Sequence, residues 1–245
     1  TRPAPPDYDG LVSRLAALFD ASRGTWGLYV YETDTGMEYG VNQDRLFFAA
    51  STAKVPLLLY VYRMIESGEV SRDDTLTYLE SDWQEGTGSI VESGPGSRFS
   101  VMETLTRLIR ESDNAAKNML YRLAGRDNVR EYIWSLGATS TDLGSAGLTT
   151  PHDMGLLLRL LHGEQVVGED LTQEIMDLMT HSLCEECLPR NLEGVQVAHK
   201  IGWYEDQVSD IGIVLAEKPY IICLYCDGAN DLEDAQATIA QVSLM

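Results

Sequence analysis

The chain has 245 residues, 44% of them hydrophobic, which is enough to bury a substantial core in one large domain or in two interleaved lobes. The formal net charge is −20, so we expect the surface to repel nucleic-acid backbones and anionic lipids, and no run of basic residues provides an exception. The longest apolar stretch, residues 55–61, is far shorter than the roughly 20 residues of a membrane-spanning helix, so we expect no membrane span.

The first residues carry no recognisable leader. Residues 1–6 read TRPAPP, with neither an initiator methionine nor a charged segment followed by an apolar one. This is compatible with a processed exported protein and equally with a trimmed chain. We expect export, to the periplasm or the outside of the cell, with the signal not present in this chain.

The first fifth of the chain is predicted to be a helix followed by a β-hairpin. Residues 8–21 have helical spacing, and two strand-like segments, 24–33 and 36–42, flank a turn at 34–36. After residue 48 the pattern becomes mainly helical. Helices are predicted over residues 55–67, 101–110, 115–124 and 153–161.

Two helix starts in the middle of the chain have clear capping signals. Ser100 and Glu103 have the spacing of a capping box, and Thr150–Pro151 precedes the helix at 153–161. From residue 195 the pattern changes back to β, because three short apolar segments with tight connections predict an antiparallel meander. The segments are residues 195–203, 208–216 and 220–227, and a helix over residues 232–242 follows them.

These elements predict an α+β fold. A five-stranded antiparallel sheet is built from both ends of the chain and flanked by the terminal helices, and a helical lobe is inserted between the hairpin and the meander. The predicted lobes are residues 1–48 with 151–245 for the sheet and residues 49–150 for the helices. We expect the functional cleft between them.

Four cysteines form two C-x-x-C pairs, which is a spacing seen in four-thiolate zinc sites. Cys223 and Cys226 fall in a predicted strand, where residues three apart point to opposite faces, so both cannot bind one ion. A local disulfide or thiol pair at Cys184 and Cys187 is an alternative. The default interpretation is that all four are small buried free cysteines, and we expect no metal and no cofactor.

Ser51 and Lys54 lie one helical turn apart where the helix over residues 55–67 begins, so their side chains share a face. An amine can take the proton of a serine hydroxyl when burial or a second cation lowers its pKa. The chain has only four lysines, and Lys200 could be that second cation. Taken alone, the pair is equally compatible with an ordinary helix N-cap and a solvated lysine.

Two further polar clusters follow in the chain. Residues 112–114 read Ser-Asp-Asn and lie between two predicted helices, where such residues also serve as ordinary caps. Residues 199–202 read His-Lys-Ile-Gly in a predicted strand, and Gly202 would let a substrate carbonyl approach the strand edge. The backbone N–H groups of Ser51 and Trp203 could then form an oxyanion hole.

In combination, the three motifs resemble the penicillin-recognising serine hydrolases, above all the class A β-lactamases and their D-Ala-D-Ala peptidase relatives. The resemblance covers nearly the whole chain, from the opening helix and hairpin to the last strand. It implies the β-lactamase/transpeptidase-like fold. It also implies a small-molecule or peptide substrate, a β-lactam or a cell-wall peptide, and we expect a monomer.

The resemblance also implies roles for individual residues. Ser51 would be the acylated nucleophile and Lys54 its proton acceptor, while Ser112 would pass a proton to the leaving group. Asn114 would hydrogen-bond the acyl side chain, and Lys200 would attract the substrate carboxylate. The remaining implied residues are Asp113, which would tie its loop, and Gly202 and Trp203 in substrate binding.

The chain departs from the family pattern in two places. The lysine-threonine-glycine triplet is here Lys200-Ile201-Gly202, which removes a hydroxyl used to hold the substrate carboxylate, and Arg190 is the candidate to replace it. The segment that carries a deacylating glutamate in class A β-lactamases is short and lacks an E-x-x-L-N pattern. Residues 137–149 hold one carboxylate, Asp142, whose context predicts a strand or turn residue and not a base.

Three hypotheses follow. The first is a serine hydrolase that forms an acyl-enzyme on Ser51, penicillin-binding or peptidase-like, with slow β-lactam hydrolysis because general-base help worth about 10² to 10⁴ in rate is missing. The second is an efficient class A-like β-lactamase. The third is a non-catalytic ligand-binding or sensor domain. The complete set of a nucleophile and its bases argues against this third hypothesis.

Overall fold

The computed structural model describes residues 8–144 and 147–245. The opening segment, on which the expectation of export is based, lies outside these residues. Within the described ranges, no helix is both long and apolar enough to cross a lipid bilayer.

The helices of the described chain are α1 (Tyr8–Ser22), α2 (Lys54–Ser67), α3 (Val101–Arg110), α4 (Asn114–Ala124), α5 (Arg126–Ser135), α6 (Pro151–His162), α7 (Glu169–Thr180) and α8 (Leu232–Val242). The strands are β1 (Thr25–Glu32), β2 (Glu38–Val41), β3 (Phe47–Phe48), β4 (Thr75–Thr77), β5 (Arg98–Ser100), β6 (Leu148–Thr149), β7 (Gln196–Tyr204), β8 (Gln207–Leu215) and β9 (Tyr220–Asp227). Every helix and strand predicted from the sequence is present, with ends that differ by at most a few residues.

Strands from both ends of the chain form one five-stranded sheet in the order β2-β1-β9-β8-β7. All four pairings are antiparallel. This confirms the predicted α+β fold, with a sheet that combines the N-terminal hairpin and the C-terminal meander. Strand β7 is at the edge, so the backbone on its outer side has no neighbouring strand in this sheet.

The sheet has an apolar layer on each face because successive side chains of a strand alternate between faces. The outer layer contains Leu28 and Leu224 and packs under α1 and α8, which contribute Phe19 and Ile239. The inner layer contains Tyr29 together with apolar residues of the helical part of the chain. The cleft and the proposed chemistry lie on the inner side.

Helix α2 is the central element of the inner side, because its residues from Lys54 to Leu59 are all buried. It packs against α3, α4 and α5, while α6 packs on β1 and β9. The boundaries proposed above for the two lobes stay a prediction, although these contacts agree with a helical unit that ends before Pro151. The central position of α2 fixes the residues that precede it against the sheet.

Candidate active site

Ser51 lies in a 3-10 turn, Ala50–Ala53, that leads directly into α2. The turn begins with Ala50 at a φ of +45°, a left-handed conformation that is uncommon for a residue with a Cβ. Thr52 is buried, and its hydroxyl donates to Ala49 O at 2.5 Å and lies 2.9 Å from the hydroxyl of Tyr225 on β9. The turn is therefore anchored to the sheet, and Ser51 is held at its surface.

Lys54 is the first residue of α2 and is 1% exposed. Its Nζ lies 3.1 Å from Ser51 Oγ, 3.0 Å from Ser112 Oγ and 2.9 Å from Asn114 Oδ1. Burial lowers the pKa of Lys54 well below its usual value, and the positive charges of Lys200 and Lys117 lower it further. A buried amine of this kind can be neutral near pH 7 and can accept the proton of the adjacent serine.

Ser112 lies between two lysines. It occupies the loop between α3 and α4 at a φ of +54°, and its Oγ is 3.0 Å from Nζ of Lys54 and 3.0 Å from Nζ of Lys200. Lys200, from β7, is 1% exposed and also donates to Ile201 O at 3.0 Å. Burial lowers the pKa of Lys200 to about 8. One hydroxyl thus connects two amines that can hold or release a proton near neutral pH.

The start of α4 fixes the neighbouring loop. The buried carboxylate of Asp113 caps the helix by accepting from Ala116 N at 2.8 Å, and it also accepts from Ile90 N at 2.9 Å. Asn114 donates through Nδ2 to Glu85 O at 2.9 Å. The loop over residues 83–90 is therefore bonded to α4 at several points.

The edge strand β7 approaches Ser51 closely at Gly202. A Cβ added to Gly202 would lie 2.9 Å from Ser51 N and 2.9 Å from Ser209 Oγ, so only glycine fits there without a shift. Trp203 follows on the same strand and is 38% exposed. The structure thus brings the backbone of Ser51 beside the strand segment that carries Trp203. These are the two residues suggested above for an oxyanion hole.

Neither of the two residues linked above to carboxylate binding has its side chain at the site. Ile201 does not face the cleft, because its side chain is fully buried in the outer apolar layer, as strand alternation from Lys200 requires. Arg190 lines a surface pocket with Glu233 and Gln236 of α8, and none of the predicted site residues contributes to that pocket. Arg190 is therefore not brought to the site.

The remaining residues of these motifs are structural. His199 Nδ1 lies 3.0 Å from the buried carboxylate of Asp210, away from Ser51. All four cysteines are free, and Cys223 and Cys226 lie in different apolar layers, as the strand interpretation predicted. No group of side chains in the described residues has the composition of a metal site.

The short segment between α5 and α6 ends beside Ser51. Strand β6 pairs with β3, and Ala49 N donates to Gly147 O at 2.8 Å. Asp142 is exposed and its carboxylate accepts from Gly144 N at 2.9 Å, so it caps a turn as the sequence predicted.

Sequence reasoning missed several residues that support the site. The hydroxyl of Thr87 donates to Ser112 O at 2.6 Å, and the Thr52–Tyr225 contact joins the nucleophile turn to the sheet. Lys117, on α4, is half-buried and contributes to the lowered pKa of Lys54. Thr87, Tyr225 and Lys117 lie outside the three motifs, and Thr52 lies within the Ser51–Lys54 motif at a position for which the sequence indicated no role.

Comparisons with known proteins agree with one another. The model of the Beta-lactamase2 family, described as the beta-lactamase enzyme family, matches residues 10–245. The chain is 28% identical over 182 residues to a beta-lactamase of Streptomyces albus G, covering 68% of this chain and 58% of that protein. It is 26% identical over 169 residues to a beta-lactamase of Rhodobacter capsulatus, covering 63% and 57%. The chain thus spans 57–58% of the length of these two relatives.

Solved structures extend the likeness to nearly the whole chain. A beta-lactamase of Sphaerobacter thermophilus superposes with a TM-score of 0.91 at 24% identity, covering 98% of this chain and 96% of the other, which shows the fold alone. PBP-A superposes with a TM-score of 0.89 at 26% identity, covering 99% and 96%. A variant of PBP-A, seen as an acyl-enzyme complex with penicillin G, gives 0.88 at 25% identity, covering 98% and 96%.

Proposed function

The chain belongs to the beta-lactamase enzyme family, and from this premise we propose that it is a serine hydrolase that forms an acyl-enzyme on Ser51 and releases it slowly. The expected substrates are β-lactams or cell-wall peptides. The observation that carries the proposal is the chain of short contacts from Ser51 through Lys54 and Ser112 to Lys200. A binding module has no need of a nucleophile beside a buried amine of lowered pKa.

In the acylation step, Ser51 Oγ attacks the substrate carbonyl carbon while its proton passes to the neutral amine of Lys54. The N–H groups of Ser51 and Trp203 would stabilise the oxyanion that forms. When the carbon–nitrogen bond breaks, Ser112 delivers a proton to the leaving nitrogen and is reprotonated by Lys54. The protonated amine of Lys200 attracts the substrate carboxylate, and Asn114 hydrogen-bonds the acyl side chain.

Slow deacylation follows from the missing glutamate. In the segment between α5 and α6, Asp142 already caps a turn through Gly144 N. General-base assistance is worth about 10² to 10⁴ in rate, so hydrolysis of the acyl-enzyme should be slower by a similar factor than in an enzyme that has the glutamate. The PBP-A variant was solved as an acyl-enzyme complex with penicillin G, which supports acylation of a protein of this fold by a penicillin.

Intact-protein mass spectrometry with excess benzylpenicillin tests the proposal. We expect a persistent adduct of one intact penicillin on the wild type and none on Ser51→Ala. A transient adduct with accumulation of hydrolysed product would instead identify an efficient β-lactamase. Failure of benzylpenicillin and of D-Ala-D-Ala peptide esters to acylate Ser51 would contradict an acyl-enzyme mechanism and favour a binding domain.

A further inference from the structure

A surface pocket of about 520 Å³ opens beside α4, beyond the residues used in the proposed acylation. Three of its residues, Asn118, Tyr121 and Arg122, follow Asn114 at intervals of four, seven and eight, so they lie on the same face of the helix. At a rise of about 1.5 Å per residue, they lie roughly 6 to 12 Å along α4 from Asn114. The remaining lining residues are Ser81, Asp82, Gln84 and Arg126.

One loop contacts both Asn114 and the pocket. Glu85 O accepts from Asn114 Nδ2 at 2.9 Å. One residue earlier, Gln84 Oε1 accepts from Lys117 Nζ at 2.8 Å and from Asn118 Nδ2 at 3.3 Å. The loop therefore runs alongside α4 from Asn114 to the pocket.

The charge of the pocket is opposite to that of the whole protein. Asp82 is the carboxylate among the described lining residues, and it is already bound by Arg122 through Nη2 at 2.8 Å and Nε at 3.2 Å. Neither Lys117 nor Arg126 has an ion pair with a carboxylate of the described residues. Among the lining residues, Arg126 thus carries one uncompensated positive charge, and Lys117 lies beside the pocket through its bond to Gln84, in a chain of net charge −20.

These two cations are close to each other and are held in place. The Arg126 guanidinium lies over the Tyr121 ring, 4.0 Å from its centroid. Burial lowers the pKa of Lys117 to about 8, and the positive charge of Arg126 contributes to that lowering. A bound anion would relieve this repulsion and would gain charge-assisted hydrogen bonds from both groups.

We propose that this pocket is an anion subsite that binds a carboxylate at the far end of the substrate's acyl chain, with Lys117 and Arg126 as its binding groups. The inference rests on the proposed function, because it assumes that the acyl chain leaves the reactive carbonyl past Asn114. The distance along α4 corresponds to an extended chain of roughly five to ten atoms, and the adipyl chain lies within this range. The predicted substrate class is therefore an acyl donor with a terminal carboxylate.

Matched probes test this inference. Two penicillins are compared, one with an adipyl side chain and one with the methyl ester of the same chain, and the second-order rate of adduct formation is measured by mass spectrometry. The variants are Arg126→Gln and Lys117→Gln. The control is Arg130→Gln, which removes the same charge from α5, where Arg130 pairs with Asp127 and lies over the Trp134 ring.

We expect the wild type to react about tenfold faster with the free acid, because both charged groups donate hydrogen bonds to it. This preference should fall towards one in Arg126→Gln and Lys117→Gln and persist in Arg130→Gln. Equal rates for the two probes on a wild type that is readily acylated would overturn the subsite and leave the proposed function intact.

A binding measurement covers the case in which neither probe acylates Ser51, which would contradict the proposed function. Calorimetric titration of adipate and of dimethyl adipate, which has no free carboxylate, onto the wild type then decides the subsite alone. Saturable binding of adipate, weaker for the dimethyl ester and lost in Arg126→Gln, would support it. Equal or absent binding of the two compounds would overturn it.

Discussion

Ser112 connects Lys54 and Lys200, so the protonation of these two amines should control the pH dependence of acylation. Lys54 must be neutral to accept the proton of Ser51, and its pKa is well below the usual value. Lys200 must be protonated to attract a carboxylate, and its pKa is about 8. We expect the acylation rate to rise through the first pKa and to fall above about pH 8.

The alkaline limb of this profile can be assigned by substitution. An arginine stays charged at all accessible pH values. Lys200→Arg should therefore acylate more slowly but lose the decline above pH 8, measured with a chromogenic β-lactam under single-turnover conditions. If the decline stays near pH 8 in this variant, Lys200 is not the group responsible.

Lys200 should also cost stability at neutral pH. Its folded pKa of about 8 lies below its ordinary value of 10.5, so the unfolded chain binds the proton more tightly and the free energy of unfolding rises between pH 8 and pH 10.5. The shift corresponds to about 3 kcal/mol at pH 7. Urea unfolding should show Lys200→Met to be more stable than the wild type at pH 7, with a smaller difference at pH 10. A less stable variant at pH 7 would contradict this.

The left-handed backbone of Ser112 offers a way to separate strain from chemistry. At a φ of +54°, glycine is tolerated better than alanine, by about 1 kcal/mol. Ser112→Gly should be more stable than Ser112→Ala in urea unfolding, although both lose the hydroxyl and should acylate equally slowly. Equal stabilities would mean that the loop relaxes when the hydroxyl is removed.

For individual residues, the sequence predicted which side chains form the site better than it predicted their backbone conformations. Ser51, Lys54, Ser112 and Lys200 were identified by order and spacing, and the structure brings their side chains together. The left-handed backbone of Ala50 could not be predicted, because it depends on how the preceding segment meets the sheet.

Among the elements, helix α4 positions the site through its cap. Asp113 is fully buried and bonds Ala116 N and Ile90 N, whereas Ser100 caps α3 near the surface through Glu103 N. Chemical denaturation should show that Asp113→Ala costs about 3 kcal/mol and Ser100→Ala about 1 kcal/mol. Only the first should slow acylation, because only its loop carries Ser112 and Asn114. A similar loss of acylation in Ser100→Ala would contradict this assignment.

Helices and strands were predicted correctly where the spacing of apolar and capping residues was clear. They were missed where packing against the rest of the chain determines the structure. The capping box of Ser100 and Glu103 is confirmed. Helices α5 and α7 were not predicted, since α5 buries only Val129 and Ile133 and α7 begins without a side-chain cap. Strand alternation correctly separated the cysteines of β9, and the same rule places Ile201 in the outer apolar layer.

For the whole molecule, the net charge of −20 should oppose folding through self-repulsion. Salt screens such repulsion, with a Debye length near 10 Å at 0.1 M. Raising NaCl from 0.05 to 0.5 M should therefore increase Tm by roughly 2–5 °C, measured by calorimetry at pH 7.5. Potassium chloride should act equally, and a decrease in Tm with either salt would mean that local ion pairs outweigh the global repulsion.

The burial of two lysines also makes the protein convenient for surface attachment. Lys54 and Lys200 are buried in the site and Lys117 is half-buried. Lys218 is therefore the lysine with a freely exposed side chain. Lys218 lies in the β8–β9 turn, whereas Trp203 lies near the β7–β8 turn at the opposite end of the sheet. Amine coupling through lysine should therefore attach this protein to a sensor chip or bead with the end of the sheet near Trp203 facing the solution.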